Sequence, residues 1–207
     1  MIICLLCAAV TAPLKGITAK MIRRAMVSDV PKIADLIASF ASSGQMLFRS
    51  HAELYETIRD FFVYTLQPDD VVVGVCAVEI VWADLAEIKS LAVNPSFSGR
   101  GIGRQLVQFA VDDALAMKIQ RVFVLTYKQQ FFQHLGFSVV DKSQLPLKVW
   151  GDCLKCPKNK SCDEIAMVRT LLPAPAVSEP MPDALADRLY EVPTPLVKIN
   201  IVGRSSG

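Results

Sequence analysis

The sequence predicts a mixed α/β fold, a β-sheet flanked by helices. Three observations predict it. Short apolar runs of strand length recur along the chain. Between them stand segments whose apolar residues return every three or four positions, as on one face of a helix. One such run, Ile88 to Val93, passes into one such segment through a glycine-dense corner, Gly99-Arg100-Gly101-Ile102-Gly103. A strand that enters a helix through glycines leaves backbone N–H groups without intrahelical partners at the helix start. The helix dipole adds partial positive charge there, so the corner is suited to an anion, most simply a phosphate.

The totals bound the rest. At 207 residues the chain holds one well-buried domain with tails, or two small ones. A formal net charge of +2 sets up no strong field for nucleic acid or for a membrane surface. Hydrophobic residues make up 52% of the chain and mean hydropathy is +0.37, yet no apolar run approaches the ~20 residues needed to cross a bilayer. Two histidines, His51 and His134, are too few for a histidine-rich metal site or an obvious Ser-His-Asp arrangement. Six cysteines, three of them late, suit a reducing compartment or a metal better than a disulfide scaffold. A cytoplasmic location is expected.

In chain order, residues 1–20 are an N-terminal extension with a short apolar run from Ile2 to Val10. It lacks the basic start of a signal peptide and the arginines of a transit peptide, so a disordered extension or a mis-called start is expected, with Met21 as the natural beginning. An export signal is the lesser reading. Residues 21–172 read as the domain. Met21 to Ala25 is a short edge strand. Ser28-Asp29 offers a helix cap with Pro31 in the first turn, and Val30, Ile33, Ala34, Ile37 and Ala41 mark one apolar face. Ser42-Ser43-Gly44 ends that helix. Ser50-His51-Ala52-Glu53 is a capping-box pattern, opening a helix that carries Leu54, Ile58 and Phe61 inward. Phe62 to Leu66 and Val71 to Val81 read as paired strands around Gln67-Pro68-Asp69-Asp70, with Gly74 marking a bulge or tight bend. After the Ile88–Val93 strand, Ile102, Leu106, Phe109, Ala110, Ala114 and Met117 recur at helical spacing. Arg121 to Thr126 is a second buried strand. Gln129 to Leu135 is a short helix ended by Gly136, and Phe137 to Val140 starts another strand. Residues 173–207 form a proline-rich tail with no clear period, read as linker and loosely held end.

The glycine corner departs from two familiar phosphate loops. A Gly-x-Gly-x-x-Gly reading from Gly99 ends on Arg104, and Gly103-Arg104-Gln105 lacks the Lys-Ser/Thr of a Walker loop. A glycine turn used only for packing is the bland alternative. The residues Ser98, Gly99, Arg100, Gly101, Ile102 and Gly103 resemble the acetyl-CoA loop of the GNAT acetyltransferases, Gln/Arg-x-x-Gly-x-Gly/Ala, with Ser98 where a longer Gln or Arg is usual. The element order is also that of this family. The resemblance implies the GNAT acyl-CoA N-acyltransferase fold, a partly splayed sheet flanked by helices. It implies acetyl-CoA as cosubstrate, held by Leu91, Ala92 and Val93 at the strand end and by Ser98 to Arg104. Arg100 and Arg104 could neutralise its phosphates or simply face solvent.

Leu47-Phe48-Arg49-Ser50 ahead of ELYETIRDFFV, then DLAEIKSLAV, VLTYKQQFFQHLGF and VDKSQLPLKVWGDCLKCP, resemble the short N-acetylglutamate synthases within that family. The resemblance implies transfer of acetyl from acetyl-CoA to the α-amino group of L-glutamate, a step of arginine biosynthesis. The chain has no room for the amino-acid-kinase domain of longer synthases, so feedback by arginine through that domain is not expected. The chemistry asks for matching residues. Glutamate's carboxylates want fixed cations, and Arg49 with Ser50, set at a helix start, and Lys89 are the candidates, against solvated readings of each. Glu87 is the candidate general base, or a surface carboxylate. An N–H near Leu91 would polarise the thioester carbonyl. Tyr127 is the candidate acid for the leaving thiolate, taking the place of a helix tyrosine where this chain has Phe131-Phe132, or it merely lines the pocket.

Cys153-x2-Cys156-x5-Cys162, followed by Asp163-Glu164, begins with zinc-ligand spacing but offers three thiols where structural zinc usually takes four ligands, so free thiols within segment 150–164 are the favoured reading over zinc. The expected partners are a small-molecule amino-acid substrate and at most a second copy of the chain, a homodimer, with no nucleic acid and no membrane. Two alternatives stay open: an acetyltransferase for another small amine, a peptide N-terminus or a polyamine, and a non-catalytic metal-stapled interaction module.

Overall fold

The structure, a computed structural model, describes residues 20–145 and 162–173. Expectations for residues 1–19 and 174–207, and for Cys153 and Cys156, lie outside the described residues. The elements are β1 (Lys20–Arg24), α1 (Val30–Ala41), α2 (His51–Glu56), β2 (Phe61–Leu66), β3 (Val71–Trp82), β4 (Leu85–Val93), α3 (Ile102–Ala116), β5 (Arg121–Thr126), α4 (Gln129–Gln133), β6 (Ser138–Val139) and β7 (Ile165–Thr170). They build one seven-stranded mixed sheet in the order β1-β2-β3-β4-β5-β7-β6. All neighbours run antiparallel except β4 and β5. That single parallel pair requires a crossover, and α3 supplies it. Among the described residues no helix is long and apolar enough to cross a membrane.

Strand alternation sends the sheet's side chains to two faces. On one, Phe62, Tyr64, Cys76, Val78 and Ile88 pack against Ile102, Leu106, Val107 and Ala110 of α3. On the other, Phe61, Val63, Val75, Ala77 and Ala92 lie under Ile33 and Ile37 of α1 and Leu54 of α2. A third cluster, Val81, Leu85, Phe123, Leu145 and Ala166, fills this second face beyond β4. Gly74 lets α3 lie close. A Cβ there would stand 3.0 Å from both Ile102 Cγ2 and Leu106 Cδ1. The β2–β3 register shifts beside it, between Tyr64 and Thr65, so the expected irregularity and a close helix approach coincide.

Several expectations need correction. β7 was not anticipated. It inserts between β5 and β6, leaving β6 as a two-residue edge rather than a strand from Phe137 to Val140. Met117 caps α3 and is exposed, while Val107 and Val111 complete the buried stripe, because the helix lies flat on the sheet and buries a broad face. Phe61 belongs to β2 and not to α2, which ends at Glu56. Asp29 starts α1 but makes no side-chain cap. Its carboxylate turns instead to Arg23, which donates from Nη1 (2.6 Å) and Nη2 (3.1 Å), and to the Met26 amide (2.7 Å). Arg23 Nη2 also reaches Asp70 at 2.5 Å, tying β1 to the β2–β3 turn.

This pin makes stability depend on pH. Burial alone would raise the Asp29 carboxyl, but the hydrogen bonds from Arg23 and the Met26 amide outweigh it and hold the group below the usual carboxylate range. The native state therefore keeps the benefit above the unfolded-chain value near ~4 and loses it as pH falls through the lower folded value. Asp29→Asn, which strands a partly buried Arg23, is expected to cost about 3 kcal/mol at neutral pH. Urea unfolding at pH 7 and pH 3 checks this, with the gap between wild type and variant narrowing in acid. A gap of equal size at both values would count against the pin.

Candidate functional site

β4 and β5 pair only at Leu85 with Arg121, Ala86 with Val122 and Glu87 with Phe123. β4 then continues to Val93, while β5 continues to Thr126 alongside β7. The strands part, and the edge of β4 from Ile88 onward has no strand partner on the β5 side. Backbone N–H and C=O groups on such an edge want partners, and an extended ligand can provide them.

Within this edge β4 is bulged. Val75 opposes Ala92 and Ala77 opposes Lys89, so Ser90 and Leu91 together face the single residue Cys76. Ser90 sits at φ 53, a left-handed conformation uncommon for a residue with a side chain. A bulge turns a peptide out of the ladder at this point, beside the split. No glycine marks it, so the sequence gives no sign of it beyond the helix-to-strand context around Leu91.

The end of β4 leads into the glycine corner. Gly99 (φ 73) and Gly101 (φ 75) both adopt left-handed backbone that glycine takes without strain. The first helical hydrogen bond of α3 runs from the Gln105 N–H to the Gly101 carbonyl at 3.1 Å. The amides of Ile102, Gly103 and Arg104 therefore have no partner inside the helix. Ser98 to Gly101 are exposed and Gly103 is half-buried. A Cβ at Gly103 would stand 3.5 Å from the Phe131 ring and 3.8 Å from Val93 Cγ2. The end of β4, the first turn of α3 and the aromatic face of α4 thus converge at one place. Arg100 stacks over Phe97 at 5.1 Å from the ring centroid, which parks its guanidinium beside the loop, and Arg104 is exposed. Open amides, a helix dipole and a glycine surface fit a diphosphate.

On the second face of the sheet, the side chains between the two apolar clusters are charged. Glu79 of β3 stands opposite Glu87 of β4, and Lys89 lies two residues further along the same strand. Lys89 makes an ion pair with Glu79. Asp60, just before β2, joins them. Burial raises its carboxyl pKa, although Lys89 and Arg24 both pull it down. Lys89, a candidate anchor for a substrate carboxylate, therefore stands among acids. Sequence reasoning missed Glu79 and Asp60. The available signal was period two, which sends Glu79, Glu87 and Lys89 to one face once β3 and β4 are paired.

The remaining candidates are placed as follows. Arg49, half-buried, lies in the segment joining α1 and α2, one residue before the α2 cap. Ser50 forms the expected capping box: its hydroxyl accepts from the Glu53 amide (3.3 Å), and its own amide donates to Glu53 Oε2 (2.9 Å). That hydroxyl is committed to holding the helix start. Tyr127, half-buried, follows the last residue of β5 at a bend in which the Lys128 amide donates to Thr126 Oγ1 at 2.9 Å. Cys162 is half-buried with its Sγ 3.4 Å from Lys142 Nζ. Among the described residues no group of three or more His, Cys, Asp or Glu could hold a metal.

A family model described as "Acetyltransferase (GNAT) family" matches residues 33–137. An uncharacterised N-acetyltransferase of Chlorobaculum tepidum is 42% identical over 150 residues, 72% of this chain and 96% of its own length. An amino-acid acetyltransferase of Mycobacterium tuberculosis is 36% identical over 135 residues, 64% of this chain and 76% of its own length. Among solved structures, N-acetylglutamate synthase from Neisseria gonorrhoeae complexed with coenzyme A and N-acetyl-glutamate superposes with a TM-score of 0.68 at 28% identity. That match covers 75% of this chain and 36% of the synthase.

The loop geometry gives a direct test. Gly101→Ala places a Cβ on left-handed backbone at a cost of ~1 kcal/mol, which lowers Tm by roughly 3 °C in a domain of this size. Calorimetric titration with coenzyme A is expected to show at least tenfold weaker binding. Unchanged affinity would mean that the corner is not the anion cradle.

Proposed function

Because the chain belongs to the acetyltransferase (GNAT) family, we propose that it moves the acetyl group of acetyl-CoA to the α-amino group of L-glutamate. The observation that carries this reading is the likeness to a synthase that binds coenzyme A and N-acetyl-glutamate, over nearly the whole described domain. The 36% identity to an amino-acid acetyltransferase supports it.

Bound acetyl-CoA supplies a thioester, an acyl group activated towards attack by an amine. The amides of Ile102, Gly103 and Arg104 hold its diphosphate, and the edge of β4 from Leu91 to Val93 aligns its arm. The acceptor's ammonium must lose a proton before attack. Glu87, beside the point where β4 and β5 part, takes that proton directly or through water. The Leu91 N–H, at the bulge, donates to the carbonyl oxygen as charge gathers there. Arg49 offers a planar fork to one substrate carboxylate. Lys89 offers a second cation, held in place by Glu79. Departure of the thiolate needs little help, since a thiol pKa is roughly 8.5, and the Tyr127 hydroxyl can return a proton to it.

One observation favours a second reading. Asp60, Glu79 and Glu87 surround a single lysine, and such an acid-rich strip also suits an acceptor with an additional ammonium, such as a polyamine.

Thiol release from acetyl-CoA across a panel of amino acids and polyamines separates the two. Glutamate is expected to stimulate it most, and stimulation by polyamines alone would overturn the glutamate assignment. Arg49→Ala is expected to raise the glutamate KM by at least tenfold with little change in that of acetyl-CoA, the loss of a charge-assisted pair being ~1.5–3 kcal/mol. An unchanged glutamate KM would remove Arg49 as the anchor.

A further inference from the structure

We propose that Glu79 is a positioning residue of this site, fixing Lys89 and setting the proton affinity of Glu87, an inference that rests on the reading of Glu87 as the base. The register makes Glu79 and Glu87 direct cross-strand partners. Such partners share a face with their Cβ atoms ~5 Å apart, and like charges so placed repel. Lys89 is the diagonal neighbour on the same face and pairs with Glu79, its side chain 15% exposed against 39% for Glu79. The remaining surroundings do not cancel the negative charge on Glu87. Phe123 is its partner on β5, α1 and α2 turn Ile33, Ile37 and Leu54 to this face, and Asp60 adds a further carboxylate with Arg24 nearby.

A carboxylate beside a second carboxylate holds its proton more tightly. A base whose proton affinity lies closer to neutrality accepts a proton from an ammonium more effectively. Glu79 thus acts twice. Its charge strengthens Glu87 as a base, and its ion pair keeps the Lys89 ammonium from neutralising that effect. Replacing it by glutamine removes the like charge and releases Lys89, and both changes lower the proton affinity of Glu87.

The test compares wild type, Glu79→Gln and Glu79→Asp. In the pH profile of kcat/KM for glutamate, Glu79→Gln is expected to move the acid limb down by ~1 pH unit, with kcat reduced about tenfold and the acetyl-CoA KM unchanged. Glu79→Asp is expected to restore most of both. An acid limb that stays in place, or a lowered Tm as the only change, would overturn the proposal. Carbon-13 NMR of the glutamate carboxyls, with Glu87→Gln assigning the resonance, reads the Glu87 titration midpoint without turnover. A midpoint unmoved by Glu79→Gln also overturns it. A wild type that releases no thiol with any amine strikes instead at the acetyl-transfer reading, and the NMR titration still decides the role of Glu79.

Discussion

β4 is tied to β5 by the pairs from Leu85–Arg121 to Glu87–Phe123, and beyond them the two strands separate. Everything that the proposed chemistry uses lies along the edge this exposes. The parallel pairing demands a crossover helix, the crossover brings the start of α3 to the far end of β4, and the helix start supplies amides and positive potential. The bulge at Ser90 lies on the same free edge. Had the strands stayed paired to Val93, the edge groups would be satisfied within the sheet and no slot would exist for a coenzyme's arm.

The split is tolerable because each half of the sheet is anchored separately. The α3 face holds the larger core, and each buried side chain such as Leu106 or Phe62 contributes ~1.5–3 kcal/mol. Gly74 sets how closely α3 can lie, since the helix side chains occupy the space that a Cβ would need. On the opposite face α1 and α2 cover β1 to β4, while Phe123, Leu145 and Ala166 cover the part beyond. The charged strip of Glu79, Glu87 and Lys89 lies between these two apolar regions. Charged groups persist there because they are paired and partly wetted.

Local signals made much of this legible. The glycine corner, the capping box at Ser50 and Glu53, and the strand runs from Phe61 to Val93 all stand where period and turn chemistry put them. Failures came where long-range partners decide. Asp29 has the residue type of a cap, but the guanidinium of Arg23 offers it more than the helix amides do. Ser90 adopts φ 53 because the β3 register forces it, with no glycine to announce it. β7 shows no clean alternation, since it buries Ala166 and Met167 in succession. Glu79 became visible only once Glu87 was its neighbour across the ladder.

The place of β7 has a consequence for how the chain is made. β5 pairs along its whole length with β7, from Arg121–Thr170 to Thr126–Ile165, and only at three positions with β4. A nascent polypeptide can thus assemble β1 to β4 with α3 as soon as they leave the ribosome, while the far wall of the cleft awaits residues almost fifty positions later. At ~5–20 residues per second that delay lasts several seconds, during which Val122, Phe123 and Val124 lack their final neighbour. Chaperone demand during translation is therefore expected to concentrate on this interval, and a ribosomal pause between Thr126 and Ile165 would prolong it.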